Sequence, residues 1–178
     1  PAELPLRFPL ESVRRSGTEV FARTADVPPA VTGNRVQYTH RGDLTEVYEV
    51  RGDGIEQSFV FAERPAGRGD LVVRGAIATE LAWASASDEG IRYERAGVGG
   101  VSFGAVTGID ANGATVGGSI RVTGDGEHVE WVLPASFVDH CAYPLVLDPL
   151  IGSAFSIAST AAFDDVGPSV AYDAGTSR

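Results

Sequence analysis

The feature of this sequence that most constrains its fold is an alternation of apolar and polar residues with a period of two, broken by turn residues about every ten positions. A period of two places successive side chains on opposite faces of a β-strand. Residues 44–50 and 55–62 carry this pattern on either side of a turn that contains Asp53-Gly54, a pair that favours the positive φ of tight turns. The two runs therefore predict a β-hairpin.

A second hairpin is predicted for residues 120–123 and 127–133, which flank a Gly-Asp-Gly turn. In its second strand Val129, Trp131 and Leu133 alternate with polar residues, as in an antiparallel strand that has one solvent-exposed face. Many short runs of this kind predict an all-β fold class, either an antiparallel β-sandwich or a barrel-like module with little helix. The alternation assigns these residues to the core: Val36, Tyr38, Tyr48, Phe59, Phe61, Leu71, Val73, Tyr93, Phe103, Val129, Trp131 and Leu145.

Helical patterns are confined to two short stretches. Residues 78–87 are rich in alanine and also contain Leu81 and Trp83, so two helical turns are expected there. Residues 134–140 favour a short helix or 3₁₀ turn, because a proline stands at the first helical position.

The composition along the chain predicts three segments. Residues 1–34 contain proline-rich stretches and are expected to be an irregular or edge-forming N-terminal segment. Residues 35–150 are expected to form the β-sandwich module. Residues 151–178 are rich in small residues and predict a linker followed by the start of a repeat, or a partner-binding tail. Because Pro1 stands where a methionine would, a processed or excised start is also expected.

Charge and composition argue against several classes of function. The net charge is −10, and all basic residues are arginines without a basic stripe, so nucleic-acid binding is not expected. The absence of lysine from the sequence excludes Schiff-base chemistry and a P-loop lysine within these residues. No stretch approaches the ~18 consecutive apolar residues of a membrane span.

Candidate catalytic residues are few. Asp139, His140 and Cys141 are consecutive and include the residue types of a hydrolytic triad, but neighbours on a strand point to opposite faces. Cys141 is the single cysteine, so a buried free thiol is the simpler interpretation. The sequence therefore assigns no catalytic residue and predicts that the chain is not an enzyme. With no His-Glu-x-x-His pattern, zinc is not expected either.

A calcium site is predicted at Asp110 and Asn112, whose oxygen atoms lie around a glycine turn. The alternative is a plain hairpin turn, since Asp-x-Asn-Gly is also turn chemistry. The same loop, together with aromatic residues such as Trp83 and Tyr93, would suit an adhesin that binds calcium or carbohydrate. No other cofactor is predicted.

Arg-Gly-Asp occurs three times, at residues 41–43, 51–53 and 68–70. On a loop tip this tripeptide can be an integrin-recognition sequence. Gly-Asp is also a favoured turn pair, and turns are the expectation at all three places.

The order of several motifs carries a resemblance over residues 35–150. Gly-Ile-Glu-Gln-Ser-Phe at 54–59 is followed by Gly-Asp-Leu-Val-Val-Arg at 69–74, by Val-Thr-Gly-Ile-Asp at 106–110 and by Tyr-Pro-Leu-Val-Leu-Asp-Pro at 143–149. This order resembles the N-terminal β-rich module of large exported, cell-surface proteins of myxobacteria and similar high-GC bacteria. The resemblance implies an extracellular or cell-surface location and propeller-like repeats downstream, and it brings no catalytic residues with it.

The function expected from these observations is structural. The chain would be a non-enzymatic assembly module of a secreted or surface-exposed bacterial protein, packing against a repeat array or against neighbouring chains. Exposed strand edges would allow self-assembly by strand addition. The alternatives are a calcium- or carbohydrate-dependent adhesin module, and an accessory or pro-domain of a secreted hydrolase.

Overall fold

The computed structural model describes residues 6–22, 28–52, 54–87, 90–97, 99–123 and 126–152, the last four of these for their backbone only. Nearly all regular structure in these residues is β. In chain order the elements are β1 (Leu6–Arg7), β2 (Leu10–Arg15), β3 (Thr18–Ala22), β4 (Ala30–Thr32), β5 (Arg35–Thr39), β6 (Leu44–Arg51), β7 (Gly54–Phe61), β8 (Leu71–Ala76), β9 (Ala78–Thr79), β10 (Ala82–Ser87), β11 (Gly90–Arg95), β12 (Gly99–Ile109), β13 (Thr115–Gly117), β14 (Ser119–Val122), β15 (His128–Leu133), α1 (Ala135–Val138) and β16 (Leu145–Gly152).

The strands form two main antiparallel sheets. The larger runs in the order β10-β11-β12-β16-β7-β6-β5-β4, with β13 also paired to β12, and the smaller runs β14-β15-β8-β2-β3. Strands β1 and β9 form a separate two-stranded ribbon. Both predicted hairpins are present, as the pairs β6–β7 and β14–β15. The prediction of an all-β antiparallel fold is confirmed, and the sandwich is the alternative that the chain adopts.

The core lies between the two sheets. Phe59 of β7 contacts Trp131 of β15 at a ring-centroid distance of 5.7 Å, and both side chains are fully buried. Most predicted core residues are buried. Val36, Tyr38 and Tyr48 are only half-buried, because they lie toward the β4 end of the larger sheet and the smaller sheet has too few strands to cover all of that face.

The segment 1–34, predicted to be irregular or edge-forming, contains the edge strand β3 and also an interior strand, β2. Strand β2 lies inside the smaller sheet, between β8 and β3. Its alternation is broken by a bulge between Leu10 and Ser12 in the pairing with β8, so the buried face passes from Leu10 to Val13 and Arg15.

The prediction of a helix at residues 78–87 is wrong. This stretch forms β9 and β10, and β10 pairs with β11 along its length. The helix propensity of alanine is weak, and pairing with a neighbouring strand overrides it. The short helix expected at 134–140 is present as α1, which follows Pro134.

The closing strand β16 is longer than its sequence predicts. It lies between β12 and β7 and continues to Gly152, although Pro149 is expected to end it. The register of β12 shifts between Phe103 and Val106, opposite this proline. The bulge interrupts the ladder where proline has no N–H to donate, so the strand can continue. The predicted tail after residue 152 lies outside the described residues.

Where the chain is described, no helix is long and apolar enough to cross a membrane.

Candidate functional site

The predicted calcium loop is a tightly bonded turn. Asp110 Oδ1 accepts hydrogen bonds from the backbone N–H groups of Asn112 and Ala114, both at 2.8 Å. Its Oδ2 accepts a 3.1 Å bond from the N–H of Ala142, in the segment that leads into β16. The hydrogen bond from Ala142 contributes most to lowering the pKa of Asp110 below its ordinary value, and the other backbone bonds add to it.

Asp110 therefore ties two loops together with both of its carboxylate oxygens. No group of three or more His, Cys, Asp or Glu side chains positioned to hold a metal ion occurs among the described residues. Calcium at Asp110 and Asn112 stays a prediction, and the observed hydrogen bonds give the aspartate a structural role that does not depend on an ion.

Asp139, His140 and Cys141 make their contacts with different partners. Asp139 Oδ1 accepts hydrogen bonds from two arginine side chains, and His140 Nδ1 donates to the carbonyl of Ser136 at 3.0 Å. Burial raises the pKa of the Cys141 thiol, which disfavours the thiolate that a nucleophile needs. This arrangement gives the hydrolase alternative no support.

The three Arg-Gly-Asp sequences are turn elements where they are described. Gly42 and Asp43 have positive φ of 74° and 58°, and Gly69 has φ 83°. Asp70 Oδ1 accepts a 2.9 Å bond from the N–H of Ala135 at the start of α1. Asp53, in the remaining sequence, lies outside the described residues.

A buried polar network, which the sequence pattern alone does not predict, joins β6, β7 and His40, the residue that follows β5. Glu46 Oε1 accepts hydrogen bonds from the Tyr48 hydroxyl at 2.6 Å and from Gln57 Nε2 at 2.9 Å. His40 Nε2 lies 3.0 Å from Glu46 Oε2. Glu46 and Gln57 are buried, so the network joins β6 to β7 within the fold. A glutamate on the apolar face of the alternation was the signal that could have found it.

The structure brings the two predicted aromatic ligand residues together in a cleft. Trp83 and Tyr93 are cross-strand partners in β10 and β11. They line a space of about 480 Å³. The other lining residues come from the β8–β9 corner and from the segment that leads into β15: Ala76, Ile77, Ala78, Thr79, Leu81, Gly126, Glu127 and His128.

The two aromatic residues differ in what they present to this cleft. Trp83 is 47% exposed, whereas Tyr93 is 2% exposed and donates its hydroxyl hydrogen to the carbonyl of Gly126 at 2.6 Å. Gly126 has φ 76°, and a Cβ there would lie 3.1 Å from Trp83 Cβ. Gly126 thus lets the indole lie against the turn, and Tyr93 holds that turn in place.

Strand β10 also forms one end of the larger sheet. All of its residues are exposed, and its sequence Ala-Trp-Ala-Ser-Ala-Ser carries no charge and no proline. The backbone groups of an end strand that point away from its neighbour are available to another strand.

Fold and site together define a two-sheet antiparallel β-sandwich with an aromatic cleft and an uncharged open edge beside it. No protein-family model, no curated protein and no solved structure matches this chain.

Proposed function

We propose that this chain is a non-enzymatic assembly module whose β10 edge pairs with the β10 edge of a second copy. We further propose that it belongs to an exported or surface-exposed bacterial protein, as the order of its sequence motifs suggests. The observation that carries the assembly proposal is the unprotected edge formed by β10.

The comparison with the other sheet ends in the described part of the chain supports this choice. Natural edge strands are protected by charge, by proline or by being short. Strand β3 carries Glu19, β14 carries Arg121, and the short β4 follows Pro28-Pro29. Strand β10 has six residues and none of these protections.

The occupant proposed for this edge is a second copy of the chain. Two molecules that each carry a net charge of −10 repel one another, so a mutual contact requires a surface without charge. An antiparallel pair of β10 strands related by a two-fold axis brings only alanine, serine and tryptophan side chains together. Such a contact is self-complementary, as in most dimers.

Sedimentation equilibrium of the full chain tests the proposal. The mass should rise with concentration from 18.6 kDa toward that of a dimer. The variant Ser85→Lys should remain at the monomer mass, because a two-fold pair would place two ammonium groups near each other at its centre.

Thr32→Lys on β4 is the matched control, since it adds the same charge to an exposed strand at the opposite end of the same sheet. It should associate like the wild type. Association that Ser85→Lys leaves intact, or a wild type that stays monomeric throughout, would overturn the proposal.

A further inference from the structure

We infer that the cleft beneath Trp83 is a binding site for a neutral carbohydrate, with the indole as the surface on which a pyranose ring stacks. The site uses the side chain of Trp83 and the far wall of the cleft, whereas the pairing of β10 uses backbone groups, so the variants below test the two separately.

The size and lining of the cleft suit one or two sugar rings. Its volume of about 480 Å³ lies within the range of small-molecule sites, ~300–1,000 Å³. An exposed indole lies on one side, and polar groups of Thr79, Glu127 and His128 lie among the remaining lining residues. A sugar needs both, because its C–H face is apolar and carries positive partial charge toward a π-system while its hydroxyls require hydrogen-bond partners.

The charges around the cleft disfavour an anionic ligand. Among the described lining residues there is no arginine, and the exposed carboxylate is that of Glu127. A second carboxylate, of Glu11, lies 3.5 Å from His128 Nε2 and pairs with Arg74 at 3.2 Å. An acidic sugar or a phosphate would meet the Glu127 carboxylate, and the Arg74 guanidinium already pairs with Glu11 and Glu130.

A cationic ligand is disfavoured for a different reason. Quaternary ammonium groups are held by cages of several aromatic faces. Here Tyr93 is buried, with its hydroxyl bonded to the Gly126 carbonyl, so Trp83 alone offers a face. A single indole face next to polar groups suits a neutral pyranose ring.

The site can be tested by fluorescence, because the second tryptophan, Trp131, is fully buried and gives a constant background. The full chain is titrated separately with the methyl pyranosides of glucose, galactose and mannose and with N-acetylglucosamine. At least one should change the Trp83 emission with a dissociation constant of about 1 mM or lower. The same sugar is then titrated by NMR into the variants, which do not need the indole as a probe.

Trp83→Ala should weaken binding at least about tenfold, and Trp83→Phe by less, because a smaller ring still offers a stacking face. Val31→Ala, which removes an exposed apolar side chain from β4, and Ser85→Lys, which blocks the edge, should bind like the wild type. The emission of Trp131 reports whether Trp83→Ala is folded. The inference would be overturned if none of the four sugars changed the Trp83 emission, if Trp83→Ala bound the sugar as tightly as the wild type, or if only choline changed the emission.

Discussion

At the scale of single residues, the most informative side chain is Arg15, a fully buried guanidinium. Its Nε and Nη2 donate to the carbonyl of Gly69 at 3.0 and 2.7 Å, its Nη1 donates to the carbonyl of Pro65, and Nη2 also bonds Asp139 at 2.7 Å. A buried charge is tolerated only when its donors are satisfied in this way. Arg15 therefore joins β2 to the loop before β8 and to the end of α1.

We expect Arg15→Ala to lower the free energy of unfolding by about 3–5 kcal/mol, because it leaves the two carbonyls and Asp139 without their shared donor. Urea unfolding measures this loss. Arg64→Ala is the control, since Arg64 also bonds Asp139 but its side chain is 49% exposed, and it should cost less than about 1 kcal/mol. Equal losses in the two variants would contradict this view of Arg15.

The acid dependence of stability should depend on Asp139. The hydrogen bond from Arg15, with the charges of Arg15 and Arg64, lowers the pKa of this carboxyl in the folded chain. A folded pKa below the unfolded value stabilises the fold above the unfolded pKa of about 3.9, and that contribution disappears as the pH falls through the folded pKa. Asp139→Asn should therefore lose less stability than the wild type on acidification below about pH 5.

Urea unfolding at a series of pH values measures this difference. Glu63→Gln, which removes an exposed carboxylate, controls for the change in net charge. If Asp139→Asn and the wild type lose stability in parallel as the pH falls, the role assigned to Asp139 is wrong.

The burial of a side chain can be predicted from the sequence where it depends only on the alternation within one strand. Phe59, Trp131 and Leu133 are in the core because alternation along one strand is enough to place them. Arg15 could not be placed, because its burial depends on carbonyls that lie 50 and 54 residues away along the chain. Trp83 is a predicted ligand residue because of its residue type alone. The cleft around it forms through the pairing of β10 with β11, which the sequence pattern does not reveal.

At the scale of elements, two strands show how the packing uses glycine. A Cβ at Gly75 of β8 would lie 2.3 Å from Phe8 Cζ, in the space that the Phe8 ring occupies against Trp131 and Phe103. Gly117 of β13 has no other heavy atom within 4 Å of the same position. The first glycine is required by packing, and the second is not.

We expect Gly75→Ala to destabilise the fold by about 1–3 kcal/mol through overpacking against Phe8. Gly117→Ala should be neutral or stabilise by up to about 1 kcal/mol, because alanine loses less backbone entropy in a strand. Both are measured by urea unfolding. A Gly75→Ala variant as stable as Gly117→Ala would mean that Phe8 does not pack on β8 as described.

The elements that sequence reasoning missed share a physical cause. The alternation of β2 is broken by a bulge, β16 continues past a proline because its neighbour bulges opposite it, and β10 is rich in alanine, which favours helix when alone. In each case a neighbouring strand decides the structure. Local propensity contains no information about that neighbour.

At the scale of the whole molecule, the two sheets differ in extent. The smaller sheet packs on β7 and β12 of the larger one, its strand β14 also approaches β11 and β10, and the larger sheet extends to β4 at its other end. Strand β10 is the uncharged end, and its exposed backbone groups are the basis of the assembly proposal. The fold class could be predicted from periodicity, whereas the unprotected edge could not, because it depends on the order of strands in the sheet.

Amide hydrogen exchange across a range of protein concentrations tests the assembly proposal most directly. Pairing of β10 with a second copy predicts that amides of residues 82–86 that point away from β11 become protected as the concentration rises. The amides of β4, at the opposite end of the same sheet, should exchange at the same rate throughout. Exchange in β10 that does not change with concentration, or protection that appears at β4 instead, would contradict the account.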